Sequence, residues 1–224
     1  MKTHRKISLT AGWLYILTFV SIPTLVLYTH VKSADYILGS GSDTPAVIGG
    51  ILEVIIGLAG IGTAVVLFPM LKKQNESAAL GLVAARILES GTIFVGVAFL
   101  STIVAMHQAG SGAGALISSH TLAALYDRIF LLGQSFMPAI CDLLLGFMLY
   151  KSRLVPRRLA MIGIAGGPLL LMGYFAMLFG VIDQHGAVAG LSAVLVALFE
   201  FSLGIWLIVK GFNSEAVAKL EAKA

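Results

Sequence analysis

The chain is poor in charge. Only 12% of its 224 residues are Asp, Glu, Lys or Arg, about half the share of an ordinary soluble domain. By contrast 58% are hydrophobic, and the mean hydropathy is +0.95. Such a chain cannot coat a globule with polar side chains, so most of its length must face lipid or other apolar segments. Cysteine is almost absent. The single one, Cys141, excludes an intrachain disulfide. It lies beside Asp142 inside an apolar run, where a thiol is usually an inert packing group. There is no HExxH, no GxSxG and no P-loop. The Gly/Ala stretch at residues 110–115 neither follows a strand nor opens a Gly-Lys-Ser/Thr turn, so it is no phosphate cradle. No catalytic residue, metal or cofactor is assigned.

What is there is a succession of apolar runs. Six have the ~20 residues that a bilayer requires: residues 8–28, 46–71, 80–106, 126–150, 159–182 and 187–209. The first follows a basic start, like a signal peptide, but no small-residue cleavage site closes it. It reads as a retained helix, kinked at Pro23. The connections are a polar loop at 31–45, the charged turn 72–77, the longest connection at 107–122 with a flexible segment Gly110 to Ala115, the basic turn 151–158 and a minimal turn at 183–185. Residues 213–224 form a short amphipathic or frayed tail. The expected fold is all-α, a single polytopic bundle of six transmembrane helices. No repeat between its halves is visible. Gly163/Gly167 and Gly186/Gly190 have the small-xxx-small spacing that permits close helix contact.

The net charge of +4 and the pI near 9.3 do not indicate nucleic acid, because no basic stripe with interleaved aromatics exists. The cations sit in the short connections instead. With six spans, one side holds Lys2, Arg5, Lys6, Lys72, Lys73, Lys151, Arg153, Arg157, Arg158, Lys210, Lys219 and Lys223, and the other only Lys32 and Arg128. The positive-inside rule then puts both termini in the cytoplasm. Trp13, Tyr15, Tyr150 and Trp206 fall near the inner boundary, and Tyr28, Tyr36 and Tyr126 near the outer one.

Arg86 and Glu89 are the exception to this segregation, because they lie within a span. Three residues apart, they share a helix face and can pair. Depth follows from a rise of ~1.5 Å per residue: Arg86 lies roughly 10 Å from the inner edge, Glu89 roughly 14 Å, Asp142 roughly 12 Å and Glu200 roughly 14 Å. Four ionisable groups on three spans therefore share one layer. If those spans adjoin, one arginine faces three carboxyls, a surplus of about two negative charges at low dielectric. At least one of Glu89, Asp142 and Glu200 should then be protonated at neutral pH, or a cation or cationic ligand should fill the gap. Glu53 is a second polar position nearer the outer edge, within reach of interfacial water. His107, His120 and His185 lie on the outer side at spacings that match no metal motif, and read as unpaired loop histidines.

Four segments resemble a family of bacterial membrane proteins, the domain of unknown function DUF4386. They are Ala11-Gly12-Trp13-Leu14-Tyr15-Ile16-Leu17; Pro69-Met70-Leu71-Lys72-Lys73 with Ala79-Leu80-Gly81 and Arg86-Ile87-Leu88-Glu89; Tyr150-Lys151-Ser152-Arg153-Leu154-Val155-Pro156-Arg157 with Leu159 and Gly163; and Glu200 with Trp206-Leu207-Ile208-Val209-Lys210-Gly211. The resemblance implies a six-helix integral membrane protein of the bacterial inner membrane and brings Arg86, Glu89 and Glu200 together as its polar positions. It implies no substrate, cofactor or reaction. The leading expectation is a non-enzymatic membrane protein whose inner-leaflet cluster of Arg86, Glu89, Asp142 and Glu200 is either structural or ligand-binding; its partners are the bilayer and, in the ligand-binding case, a small molecule or lipid. The alternatives are a proton-coupled carrier of a small solute using the same carboxyls, and an intramembrane enzyme acting on a lipid or quinone.

Overall fold

The computed structural model describes residues 3–39 and 41–222. Lys2 and Lys223, counted above toward the basic side, lie outside the described residues. Every element among the described residues is helical. In chain order these are α1 (Thr3–Thr18), α2 (Thr24–Leu27), α3 (Ala34–Ile37), α4 (Thr44–Leu71), α5 (Glu76–Gln108), α6 (Leu116–Leu131), α7 (Met137–Ser152), α8 (Arg157–Leu178), α9 (Ala187–Val209) and α10 (Ser214–Glu221). Short 3-10 turns at Phe19–Ser21 and Gly112–Ala115 and a π turn at Leu132–Phe136 join some of them.

Five helical stretches are long and apolar enough to cross a bilayer: Thr44–Leu71, Glu76–Gln108, Gly112–Ser152, Arg157–Leu178 and Ala187–Val209. They make this a multi-pass membrane protein. The expected first span is not a sixth unbroken helix. α1 has 16 residues, about 24 Å, short of the ~30 Å hydrocarbon core. It gives way to the 3-10 turn, and Pro23, which has no N–H and crowds the carbonyl four residues back, separates it from α2.

The connection expected at 107–122 is largely helical, and most of its Gly110 to Ala115 segment forms a 3-10 turn. α5 continues to Gln108 and the chain is helical again from Gly112, leaving a turn of residues 109–111. Gly110 and Gly112 supply its left-handed conformations (φ 67° and 53°), and the alanines and leucines that follow resume a helix.

The main helices close a ring. α1 packs on α4 and α9, α4 on α5, α5 on α6 and α7, α7 on α8, and α8 on α9. The ring closes where α1 meets α9, because Gly12 and Gly204 lack side chains: a Cβ on Gly12 would stand 2.8 Å from the Gly204 carbonyl oxygen. Gly163 and Gly167 do not form one seam. The first faces Phe199 on α9 and the second faces Leu143 and Ala139 on α7, so α8 uses them against different neighbours. A Cβ on Gly190 would meet nothing within 4 Å, so the Gly186/Gly190 spacing marks no contact.

Two apolar cores stack along the ring. The larger contains Tyr15, Leu67, Met70, Leu82, Leu145, Met148, Phe199 and Leu203, and Val217 and Leu220 of α10 join it. The tail is therefore docked, not frayed. Asn213 starts α10 by accepting from the Glu215 N–H (3.0 Å), and its own N–H donates to the Leu154 carbonyl (2.9 Å). Arg5 donates to the free carbonyl of Leu207 (3.0 Å) at the end of α9, and His4 and Lys73 both reach Glu221. These contacts gather the N-terminal segment, the 72–77 turn, the 153–156 turn and α10 at one end of the bundle, the end that carries the basic residues. The second core, at the other end, holds Tyr28, Val31, Tyr36 and Ile37 against Leu100, Ile103, Val104 and Tyr126. The polar loop after α2 is thus partly a buried cap.

Candidate functional site

Arg86 projects from α5 into the middle of the ring. Its Nη1 donates to both oxygens of Glu89 one turn on (2.9 and 3.1 Å), and its Nη2 donates to Glu200 of α9. The guanidinium also lies over the Tyr15 ring of α1, 5.9 Å from its centroid. Cys141 of α7 donates its thiol to Glu89 at 3.5 Å. Arg86 is only 3% exposed, so the cluster lies well inside the protein. A guanidinium there is tolerable because its planar fork meets two carboxylates at once. Ser90 braces the layer by donating to the Gly57 carbonyl of α4 (2.8 Å).

Asp142 is fully buried in the same layer. Glu200, Arg86 and Glu89 are its charged neighbours, and it closes no hydrogen bond to Arg86. The Arg86 Nε and the Tyr15 hydroxyl are buried without partners. Of the four residues placed at one depth, the structure brings Arg86, Glu89 and Glu200 into direct contact and sets Asp142 beside them.

Above the cluster lies a cavity of about 190 Å³. Arg86, Glu89 and Glu200 face it from one side, Gln134 from another, and Ile56, Ile93, Leu170 and Val196 are among its apolar walls. Gln134 does not stand out in the sequence as a site residue. It sits in the π turn, where the Met137 N–H reaches back five residues to the Leu132 carbonyl. Pro138 lies just beyond and cannot donate to a carbonyl four residues back, so the helix locally widens. Gly133 lets that turn lie against Thr92 of α5, where a Cβ would collide with the hydroxyl. The only hint in the sequence is a Gln-Ser pair in an apolar run with proline close behind.

Glu53 does not reach interfacial water. It is 1% exposed, and the Tyr126 hydroxyl donates to its Oε1 at 2.7 Å. Gln134 Nε2 stands 3.4 Å from the same oxygen, a loose contact. The Tyr28 hydroxyl lies beside this carboxylate in a looser geometry than that of Tyr126. The Tyr28 and Tyr126 rings meet edge to face at 5.4 Å. Lys32 sits 5.0 Å above the Tyr126 ring and pairs with Asp127. Glu53 is thus separate from the Arg86 cluster, and Gln134 touches both its surroundings and the cavity.

The histidines expected to be unpaired loop residues are placed differently: His107 and His120 lie in α5 and α6, and His185 Nε2 comes within 3.9 Å of Asp127. His107 is paired: its Nδ1 lies 2.7 Å from Asp43 Oδ1, which also accepts from the Tyr36 hydroxyl (2.7 Å), while Oδ2 accepts from Gln108 (2.8 Å). The Tyr36 hydroxyl, then Gln108 and His107, hold the Asp43 carboxyl below the usual range. Burial first, and then its bond to Asp43, pushes the Tyr36 hydroxyl up. Among the described residues no three His, Cys, Asp or Glu side chains are grouped to hold a metal.

A ring of apolar helices around a buried arginine–carboxylate cluster defines a polytopic membrane protein with a polar site in its interior. The chain belongs to the family described as Domain of unknown function (DUF4386), whose model matches residues 10–211. No curated protein and no solved structure matches it.

Proposed function

We propose that the protein binds a small amphiphile within the bilayer, in the cavity above Arg86, Glu89 and Glu200. The observation that carries this reading is the cavity itself: about 190 Å³ of space with apolar walls on several sides and a charged floor. A cavity of about 150 Å³ holds one benzene ring, so a single ring with a short polar arm suits this one. Glu89 and Glu200 line the cavity as two carboxyls against the single cation of Arg86, which already pairs with both. The ligand's polar arm in this reading is cationic and meets the carboxyl charge that Arg86 leaves over. In this reading α1 and α2 together form the first of six spans, because α1 packs in the ring with α4 and α9. The basic end then faces the cytoplasm of a bacterial cell across its inner membrane, with both termini and the tail on that side.

The test is a series of probes of one size: benzylamine, benzyl alcohol and benzoate, read by the thermal midpoint of the purified protein. Benzylamine should raise the midpoint, and the rise should vanish in Ala193→Phe, which fills the cavity, and shrink in Glu200→Gln. No rise with any probe rejects the site. A rise with benzyl alcohol alone keeps the cavity and rejects the cationic arm.

A second reading is proton-coupled transport of such a ligand. What favours it is that Gln134, which lines the cavity with Arg86, Glu89 and Glu200, also stands 3.4 Å from Glu53 Oε1, so one side chain lies between the two buried acidic positions. Uptake of labelled benzylamine into proteoliposomes, driven by a pH gradient and lost in Glu53→Gln, would support it. Binding without uptake would reject it.

A further inference from the structure

A second site lies at the basic end, 530 Å³ in volume, where the turn after α7 meets the turn after α9. Arg153, Arg157 and Lys210 line it together with Leu154, Trp206 and Phe212, and no acidic residue does. Arg157 lies over the Tyr150 ring, 4.8 Å from its centroid. None of the three cations forms an ion pair among the described residues, although Lys73 and His4 at the same end both reach Glu221.

The groove is a built feature. Leu154 and Val155 beneath it are buried, and the Asn213 N–H donates to the Leu154 carbonyl (2.9 Å), locking its two walls together. Arg153 closes α7 in the left-handed conformation (φ 57°, ψ 24°), where glycine is the usual residue. It is the one non-glycine with positive φ among the described residues. The backbone there would be served better by glycine, so the side chain needs another use. The exposed apolar side chains Met161 on α8 and Ile205 and Val209 on α9 continue from the groove into the membrane-spanning part of the same helices.

We propose that this groove binds the phosphodiester headgroup of an anionic phospholipid, with the acyl chains lying along α8 and α9. Three unpaired cations converge on the phosphate, Trp206 and Phe212 support the glycerol region, and the position at the ends of two spans sets the group at headgroup depth. A lipid is preferred to free phosphate because apolar surface lines the groove and continues beneath it. The site is independent of the central cavity.

Native mass spectrometry of the detergent-purified protein, titrated with phosphatidylglycerol and with phosphatidylcholine, tests this. Phosphatidylglycerol should bind more tightly. Arg153→Gly with Lys210→Gln should weaken it by roughly tenfold or more, at about fivefold per cation. Arg158→Gln, which removes a cation outside the groove, should change it little. Arg153→Gly alone should keep or raise the thermal midpoint, since glycine suits the left-handed position; its loss of lipid binding is then not a loss of fold. Equal affinity for both lipids, an undiminished preference in the double variant, or an equal loss in Arg158→Gln would overturn the proposal. Inorganic phosphate that competes fully with the lipid at millimolar concentration would assign the site to the free anion instead.

Discussion

Arg86 and Glu200 stand 114 positions apart in the chain and form an ion pair across the interior of the helix ring. α5 and α9 do not pack side by side as the neighbouring helices of the ring do, and this ion pair bridges them. A charge network that bridges a ring stabilises only while it is complete. Remove the cation and two carboxylates remain in a space with no other fixed positive charge.

That asymmetry gives the first prediction. Arg86→Met should destabilise the protein by about 3–5 kcal/mol, because it strands Glu89 and Glu200. Arg86→Met combined with Glu89→Gln and Glu200→Gln should recover most of the loss. Thermal or denaturant unfolding of wild type, the single variant and the triple variant measures both. If the triple variant is no better than Arg86→Met, the cost lies in packing and not in stranded charge.

The second prediction concerns the two tyrosines at Glu53. Tyr126 closes a 2.7 Å hydrogen bond to that carboxylate, while the Tyr28 hydroxyl lies beside it in a looser geometry. Tyr126→Phe should therefore cost about 1–3 kcal/mol, the range for leaving a buried acceptor unpaired. Tyr28→Phe removes a hydroxyl that lies beside the same carboxylate in a looser geometry and should cost less than Tyr126→Phe. A reversed order, measured by unfolding, would mean that Tyr28 is the true donor.

A pH effect is expected at the other end of the molecule. The bonds from Tyr36, Gln108 and His107 hold Asp43 below the ordinary value of about 3.9. A carboxyl lowered on folding contributes stability that is fully present above its unfolded pKa and lost as pH falls through its folded one. The protein should thus melt earlier as pH drops from 5 to 3, and Asp43→Asn should start less stable and show a shallower decline. Asp43 is about a quarter exposed, so the effect should be modest and weaker in salt. Parallel curves for the two proteins would place the acid sensitivity elsewhere.

How much of the site is legible in the sequence depends on what residue counting fixes. Helix rise is fixed, so counting residues sets Arg86, Glu89, Asp142 and Glu200 at one depth without any knowledge of packing. Rotation about each helix axis is not fixed by counting. That is why Asp142, at the right depth, closes no bond to the arginine, and why Glu53 turns toward Tyr126 and away from water. The break after Thr18 follows from Pro23, but its extent depends on what Phe19 and its neighbours meet in α4. The π turn at Gln134 and the helix continuing through residues 112–116 arise from tertiary contact, and local preference alone gives neither.

The last prediction separates glycines that fit a seam from glycines that do not. A Cβ on Gly12 would lie 2.8 Å from the Gly204 carbonyl oxygen and 3.0 Å from the Ile208 nitrogen, both backbone atoms that cannot move aside alone. Gly12→Ala should push α1 away from α9 and cost about 1–3 kcal/mol. Gly190 lies in α9 with nothing within 4 Å, so Gly190→Ala should be neutral or gain up to about 1 kcal/mol from helix propensity. Because α1 also carries Tyr15 under Arg86, separating α1 from α9 should loosen the cluster too. Gly12→Ala should therefore weaken benzylamine binding, although it touches no residue of the cavity, and Gly190→Ala should not. If Gly12→Ala lowers stability and leaves binding intact, the ring closes at α1 and α9 for the fold alone, and the cavity tolerates a shift of α1.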